Sequence, residues 1–256
     1  MMKEPYTKTL VKTLEILKSF DDYNTHQKAS EIARKLNLNI STVLRHLSDL
    51  VNYGFLEQDQ ETTCYYLGPT VINLAGVALN SHSLYSIAYS EVLKLSRKLD
   101  VHVNMSILKE DQIIYLFEVP TENSFDLLMP IGYKRPAATA AMGRVLLAGL
   151  KPQTAYYIVS KTKVNKLTPY SLTSVKEIML KIDSARDNGY SVLTDEIKVG
   201  ISSISAPVRN RSGEVVAAVA TSIETSRLTN EFKKEIIDQL LITVSSISAK
   251  LGYFPR

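Results

Sequence analysis

Two neighbouring segments near the N-terminus have the hydrophobic spacing of amphipathic helices. The first, residues 30–38, places Ile32, Ala33 and Leu36 on one face. The second, residues 39–53, repeats apolar side chains at three- and four-residue steps: Val43, Leu44, Leu47, Leu50 and Val51. We expect Asn39 to cap the second helix by accepting the Thr42 N–H, and Gly54 to end it. The pattern predicts a helix-turn-helix.

The spacing changes to that of a β-hairpin after Gly54. Residues 55–58 and 63–67 are rich in β-prone side chains, and the polar residues 59–62 between them suit a turn. A helix pair followed by a hairpin is typical of a winged helix-turn-helix, which places its second helix in the major groove of DNA. The polar face of that helix supplies the DNA-contact candidates, of which Arg45 is the first choice for a guanine or a phosphate. The full set of candidates is Lys28, Ser41, Thr42, Arg45 and His46.

The remaining sequence predicts an α+β domain. Helical spacing covers residues 70–80, 83–100, 137–150, 155–160, 173–188 and 230–251. Strand patterns cover residues 101–108, 112–119, 126–132, 190–197, 201–208 and 214–223. Strands grouped around a helical block favour a mixed, mainly antiparallel sheet covered by helices. We therefore expect a DNA-binding domain over residues 1–68, a linker helix over 69–82, and a sensor-like α+β domain over 83–256.

Charge restricts the kind of DNA binding. The whole chain has a formal net charge of +4, but residues 1–82 contain eight Lys or Arg and nine Asp or Glu. A protein that covers DNA without sequence preference requires a clear excess of positively charged residues. We therefore expect a site-specific binder that uses a few well-placed cationic side chains. Asp59 and Glu61 make the wing tip acidic, and we therefore expect that it does not contact the DNA phosphates.

The sequence argues against a membrane protein, a metal site and an enzyme. It has no apolar stretch of membrane-spanning length, and its single cysteine, Cys64, fits a reducing cytoplasm. The four histidines lack ligand spacing, so no metal and no other cofactor is expected. Ser203, Asp195 and either His82 or His102 would be the members of a hydrolase triad. No glycine-flanked nucleophile turn surrounds the serine, and this alternative is therefore disfavoured.

Three sequence blocks resemble one known family in the same order. They are STVLRHLSDLVNYGFL running into YYLGP, then RPAATAAMGRVLLAG, then GYSVLTDEIKVGISSISAPVRNRSGEVVAAVATSI. Over nearly its whole length the chain resembles the IclR family of bacterial transcriptional regulators. The resemblance implies a GAF/profilin-like C-terminal domain that binds a small organic or aromatic acid. It also implies homodimers joined through the N-terminal domains and linker helices, often paired into homotetramers on operator DNA.

The resemblance also assigns an effector pocket by position. The residues that it implies are Met129, Thr139, Ala140, Ala141, Met142, Leu193, Asp195, Ile201, Ser203, Ala220 and Ser222. Ala140 and Ala141 stand at positions where, in the family, backbone amides at a helix start face the ligand carboxylate. Ala138 and Ala140 depart from the family block, which has histidine and threonine there, and Leu193 and Ala220 stand where polar residues can occur. We therefore expect a carboxylate ligand with an apolar or aromatic body.

One alternative keeps the DNA-binding domain but makes the large domain only an oligomerisation scaffold. The small-residue helix over 137–149 and the apolar helix over 70–80 suit subunit packing as well as they suit ligand contact. An effector-dependent shift in operator affinity would separate the two functions. Most family members repress and some activate, and we expect repression here.

Overall fold

The chain folds into two compact units. The structure is a computed structural model that describes residues 8–21, 23–81, 83–122 and 129–254. Unit 1 is Met1–Ser81 and unit 2 is His82–Arg256. None of the helices in the described ranges combines the length and the apolar character that a membrane span requires.

Three helices and a hairpin build most of unit 1. The helices are α1 (Lys8–Lys18), α2 (Ala29–Leu36) and α3 (Ile40–Asn52), and the hairpin strands are β1 (Leu56–Gln58) and β2 (Tyr65–Leu67). The predicted helix-turn-helix and wing are confirmed, whereas α1 was missed by the sequence analysis. Helix α1 completes the small core, because its fully buried Ile16 belongs to the same apolar cluster as Ile32 and Leu47.

The ends of α3 follow from local hydrogen bonding. Asn39 is the N-cap, as predicted, but its side chain accepts the N–H of Ser41 at 3.0 Å rather than that of Thr42. Gly54 follows the helix with a φ of 72°, the left-handed conformation that glycine adopts at least cost. The helix-stop prediction is confirmed.

The remaining helices and strands follow in chain order. Unit 1 ends with α4 (Pro69–Ser81). Unit 2 contains α5 (Ser83–Leu99), β3 (His102–Lys109), β4 (Gln112–Val119), β5 (Lys134–Pro136), α6 (Ala141–Ala148), α7 (Pro152–Lys161), α8 (Val175–Asn188), β6 (Ser191–Thr194), β7 (Ile201–Arg209), β8 (Val215–Glu224) and α9 (Asn230–Lys250). The predicted helix over 137–150 is divided, because a short 3-10 turn, Ala137–Thr139, precedes α6.

The six strands in the described part of unit 2 form one antiparallel sheet in the order β5-β4-β3-β8-β7-β6. This confirms the predicted antiparallel architecture. The strand predicted over 126–132 is wrong in its described part, since residues 129–132 belong to no strand and the edge strand begins at Lys134. The rest of that prediction, residues 126–128, lies outside the described residues. The edge strand Lys134–Pro136 is too short and polar to show a pattern.

The sheet has an apolar face and a more polar face. Val103 and Met105 lie in the apolar cluster with side chains of α5 and α9. Ala218 and Ala220 belong to the second cluster, with side chains of α6, α7 and α8. Because successive strand residues point to opposite faces, the polar side chains of His102, Asn104 and Ser106 share the α6 face. The hydroxyl of Ser106 donates to the sulfur of Met142 at 3.2 Å, which places the first turn of α6 over this part of β3.

Candidate DNA-binding and ligand-binding sites

Helix α3 presents a compact exposed face in unit 1. Ser41, Leu44, Arg45 and Ser48 are exposed and recur at three- and four-residue steps, while Thr42 is half-buried. Leu44 was predicted to lie on the buried stripe, but 46% of it is exposed. The buried stripe is instead Val43, His46, Leu47 and Leu50. An exposed leucine beside an exposed arginine offers an apolar contact for a thymine methyl next to hydrogen bonds for a guanine.

His46 must be removed from the DNA-contact candidates. It is only 2% exposed, and its Nδ1 lies 3.0 Å from the hydroxyl of Thr13 on α1. Burial, together with the positive charge of Arg45, lowers the pKa of His46 below its ordinary value. The ring is therefore a neutral core group that joins α1 to α3.

Two other DNA-contact candidates have local structural roles as well. The hydroxyl of Ser41 donates to the Asn39 side chain at 2.9 Å, so it is oriented by the cap. Lys28 precedes α2, where its N–H donates to the carboxylate of Glu31 at 2.7 Å, and its side chain is exposed. Lys28, Ser41, Thr42 and Arg45 stay predicted DNA contacts.

The wing tip is built by one carboxylate. Oδ1 of Asp59 accepts the backbone N–H of Thr62 at 2.7 Å, its hydroxyl at 2.7 Å, and the N–H of Glu61 at 3.1 Å. These hydrogen bonds lower the pKa of Asp59. Asp59 therefore holds the turn, and Glu61 is the acidic side chain that the tip presents.

A cavity of about 320 Å³ lies in unit 2 between α6, the α6 face of the sheet and the loop after β6. Its lining includes eight of the eleven residues predicted for the effector pocket: Met129, Ala140, Ala141, Met142, Leu193, Ile201, Ser203 and Ser222. The structure thus brings most of the predicted residues together, and their role as ligand contacts stays a prediction. Pockets of about 300–1,000 Å³ are typical of small-molecule sites.

The start of α6 is shaped as an anion-binding terminus. The N-cap is Ala140, whose side chain makes no capping hydrogen bond to the first turn of the helix. Its backbone N–H groups and the positive end of the helix dipole suit a carboxylate. Gly143 lets the helix approach the preceding turn closely, because a Cβ at this position would lie 1.9 Å from the carbonyl oxygen of Ala137.

A buried ion pair fixes the loop that closes the cavity. Arg144 on α6 is fully buried, and its guanidinium donates two hydrogen bonds to Glu196, one of them 2.8 Å long. The carbonyl oxygen of Glu196 accepts the hydroxyl of Ser171 at 2.6 Å. Two neighbours of Glu196, Ile197 and Lys198, line the cavity. Helix α6 and this loop are therefore held in one arrangement.

Three predicted pocket residues do not line the cavity. The hydroxyl of Thr139 donates to the carbonyl oxygen of Pro136 at 2.8 Å, within the 3-10 turn. The carboxylate of Asp195 accepts the Gly200 N–H at 2.8 Å and the Thr225 hydroxyl at 2.9 Å, and its backbone is left-handed, with a φ of 59°. Asp195 therefore closes the loop. Ala220 is 1% exposed and packs in the apolar cluster beneath α6.

Four cavity residues were missed by the sequence analysis. They are Asn104, Tyr115, Ile197 and Lys198. The cavity is consequently less apolar than the apolar residues Leu193 and Ala220 led us to expect. Asn104 supplies a carboxamide, Tyr115 a phenol and Lys198 an ammonium group. Burial raises the pKa of Tyr115, which keeps its hydroxyl protonated. The alternation of polar and apolar side chains in residues 102–107 was the signal that could have identified Asn104.

A second polar contact anchors Met129 beside the cavity. Oε2 of Glu118 accepts the N–H of Met129 at 2.9 Å and lies 3.0 Å from Nε2 of His102. Burial lowers the pKa of His102, an effect that Glu118 opposes. A neutral His102 with its proton on Nε2 donates to Glu118.

The hydrolase alternative finds no support in these contacts. The hydroxyl of Ser203 donates to the carbonyl oxygen of Thr221 at 2.9 Å, Asp195 is engaged in its loop, and His102 pairs with Glu118. His82 lies outside the described residues. Within residues 8–21, 23–81, 83–122 and 129–254, no group of three or more His, Cys, Asp or Glu side chains is arranged to hold a metal ion.

Sequence comparisons match both units to one family. The IclR helix-turn-helix domain matches residues 9–60, and the bacterial transcriptional regulator IclR C-terminal domain matches residues 76–249. Together these matches cover most of the chain.

Individual relatives extend over nearly the whole length. The transcriptional regulator KdgR of Escherichia coli K12 is 27% identical over 224 residues, which is 88% of this chain and 85% of KdgR. The transcriptional repressor AllR of Salmonella typhimurium LT2 is 25% identical over 246 residues, 96% of this chain and 90% of AllR. An IclR homologue of Microbacterium hydrocarbonoxydans, solved with 4-hydroxybenzoate, has the same fold. Its TM-score is 0.84 at 21% identity, with 95% of this chain and 99% of that one covered.

Proposed function

The chain belongs to the IclR family of DNA-binding transcriptional regulators, and we propose that it is an operator-specific repressor released or retained by a small organic acid. Its relatives are transcriptional regulators, not enzymes. The observation that carries the effector part of the proposal is the cavity of about 320 Å³ at the uncapped start of α6. Because operator DNA is cytoplasmic in bacteria, the proposal implies a cytoplasmic protein.

The operator is read by the exposed face of α3. Arg45 donates two hydrogen bonds to a guanine edge, Leu44 packs against a thymine methyl, and Ser41 and Thr42 hold a phosphate at the helix start. The side chain of Lys28 supplies a further phosphate contact. The net charge of −1 over residues 1–82 favours a few specific contacts over general attraction.

The effector is a carboxylate with an apolar or aromatic body. Its anionic end lies at the backbone N–H groups of Ala141 and Met142, with Lys198 at the same cavity. Met129, Leu193 and Ile201 surround the apolar body, and Ser203 and Ser222 offer hydroxyls. The 4-hydroxybenzoate bound to the Microbacterium homologue is a compound of this class and supports the proposal.

The protein acts as a homodimer, or as a homotetramer built from two dimers. Helix α4 has no buried side chain in its described part, and Ile72, Leu74 and Val77 are 75%, 53% and 60% exposed. On α1, Leu10 and Leu14 are 58% and 50% exposed. Apolar side chains in such numbers suit contact with a second copy. A dimer places two α3 helices in successive major grooves of a near-palindromic operator.

Selection from random duplex DNA, followed by fluorescence anisotropy, tests this function. We expect enrichment of a near-palindromic sequence and a shift of about 5- to 150-fold in its affinity when the correct carboxylate is added. Repression is tested by a reporter gene placed behind the selected sequence. Failure to enrich any sequence would refute the operator proposal. An enriched sequence whose affinity responds to none of a panel of organic acids would favour the large domain as an oligomerisation scaffold.

A further inference from the structure

Asn104 carries a buried polar atom without a partner beside the cavity. The residue is 3% exposed and lines the cavity, and its Oδ1 has no hydrogen-bond partner among the described residues. Buried polar side-chain atoms in folded proteins are nearly always paired, and an exception at a cavity points to a group that arrives with a ligand. Leaving the carboxamide unpaired costs stability, which a ligand that pairs it would recover.

The neighbours of Asn104 in the sheet do not supply the missing hydrogen bond. Ala220 lies opposite it on β8 and has no polar side-chain atom, and Glu118 lies opposite it on β4. The Glu118 carboxylate accepts the N–H of Met129 and pairs with His102. Oε2 of Glu118 is thus engaged with two other groups. The unpaired Oδ1 of Asn104 is therefore left to the cavity.

We propose that Asn104 determines ligand specificity by pairing with a hydroxyl group on the effector. A hydroxyl both donates and accepts, so it satisfies the carboxamide whether the oxygen or the NH₂ faces it. Tyr115 lines the same cavity and offers its phenol to the same hydroxyl. The effector class is therefore a hydroxylated carboxylic acid with an apolar body. This inference rests on the proposed effector function.

Matched pairs of carboxylates test the inference by calorimetry on the full-length protein without DNA. The pairs are 4-hydroxybenzoate with 4-methylbenzoate, 4-hydroxyphenylacetate with 4-methylphenylacetate, and 6-hydroxyhexanoate with heptanoate. In at least one pair the hydroxylated member should bind roughly tenfold more tightly. Equal affinities within every pair, or no binding by any hydroxylated member, would overturn the proposal.

The variant Asn104→Leu separates recognition from a structural role. The substitution should weaken binding of the hydroxylated member by about tenfold and leave the affinity for its methyl counterpart within twofold of the wild-type value. Equal weakening of both members would show a structural role and refute the proposal. Ser205→Ala is the control, because Ser205 is buried with an unpaired hydroxyl on the far side of Ala220 but does not line the cavity. If Asn104→Leu does not fold, the comparison of pairs on the wild-type protein decides alone.

These results are independent of the operator experiment. Sequence enrichment and an acid-dependent affinity shift, together with equal affinities within the pairs, would refute only the role of Asn104. Selective binding of hydroxylated acids without any effect on DNA would refute the proposed regulation and leave the role of Asn104 intact.

Discussion

Arg144 and Glu196 form a buried ion pair with two hydrogen bonds, which joins helix α6 to the loop after β6. The arginine side chain is 1% exposed and that of the glutamate 12%. Helix α6 offers the N–H groups for the ligand, and the loop contributes Ile197 and Lys198 to the same cavity. The pair therefore couples the two walls of the proposed effector site.

Glu196→Gln should destabilise unit 2 severely. The substitution keeps the shape of the side chain but leaves the Arg144 charge buried and uncompensated, which costs about 3–5 kcal/mol in comparable cases. Urea unfolding of the full-length protein measures this loss. The control Glu235→Gln makes the same change on the exposed surface of α9 and should stay within about 0.5 kcal/mol of wild type. Similar small effects for both variants would show that the ion pair does not hold the loop.

Gly143→Ala should disturb the start of α6. A Cβ there would meet the backbone of Ala137 at 1.9 Å, and backbone cannot move aside as a flexible side chain can. We expect a loss of about 1–3 kcal/mol in the free energy of unfolding. Lys176→Ala on α8 is the control, because it introduces an alanine at an exposed helix position, and it should stay within about 0.5 kcal/mol of wild type. A tolerated Gly143→Ala would contradict the close approach.

The stability of the helix-turn-helix should fall as the pH drops below about 6.5. The folded pKa of His46 is lowered, so below the ordinary histidine value the unfolded chain binds a proton that the folded chain excludes. Folding is then favoured above that pH and progressively weakened below it. Hydrogen exchange in peptides from residues 8–52, corrected for intrinsic rates at pH 7.5 and 5.5, measures the change. His46→Gln should reduce the pH effect, and an unchanged effect would assign it to other groups.

Glu61→Lys should leave operator affinity and its salt dependence unchanged. Glu61 is exposed at the wing tip, and its substitution spares the Asp59 hydrogen bonds that form the turn. If the wing tip touches the phosphates, the added lysine would instead tighten operator binding. It would also steepen the dependence of the logarithm of the affinity on the logarithm of the salt concentration by about one. Anisotropy titrations at several salt concentrations distinguish the two outcomes.

Hydrophobic spacing predicted most of the fold but not its short or polar parts. Strand β4 and helix α3 were predicted closely, because each has a regular period over eight or more residues. Strand β5 is three residues long and polar, so its pairing with β4 decides its structure and the local sequence does not. The missed helix α1 has apolar residues at four- and three-residue steps, among them Leu10, Leu14 and Leu17, a signal from which the helix could have been predicted.

The cavity was predicted only in part. A family resemblance identifies corresponding positions in the sequence, but it does not show which side chains come into contact. Leu193, Ser203 and Ser222 were identified because their strands match the family blocks. Asn104 and Lys198 come to the cavity only through the antiparallel pairing of β3 with β8 and the closure of the loop by Asp195. Such contacts between distant segments leave no local pattern. His46 was wrongly predicted to contact DNA for a related reason. Whether a polar residue at the edge of an apolar stripe is buried or exposed depends on the segments that pack against it.

The operator affinity of Arg45→Ala is the decisive test of α3 as the recognition helix. With a duplex selected by the wild-type protein, anisotropy should show a loss of about 5- to 150-fold, corresponding to one bidentate base contact of about 1–3 kcal/mol. Arg97→Ala, which removes an exposed arginine from α5 in unit 2, should leave the affinity within twofold. An Arg45→Ala protein that binds the selected duplex as tightly as wild type would contradict the assignment of α3 as the recognition helix.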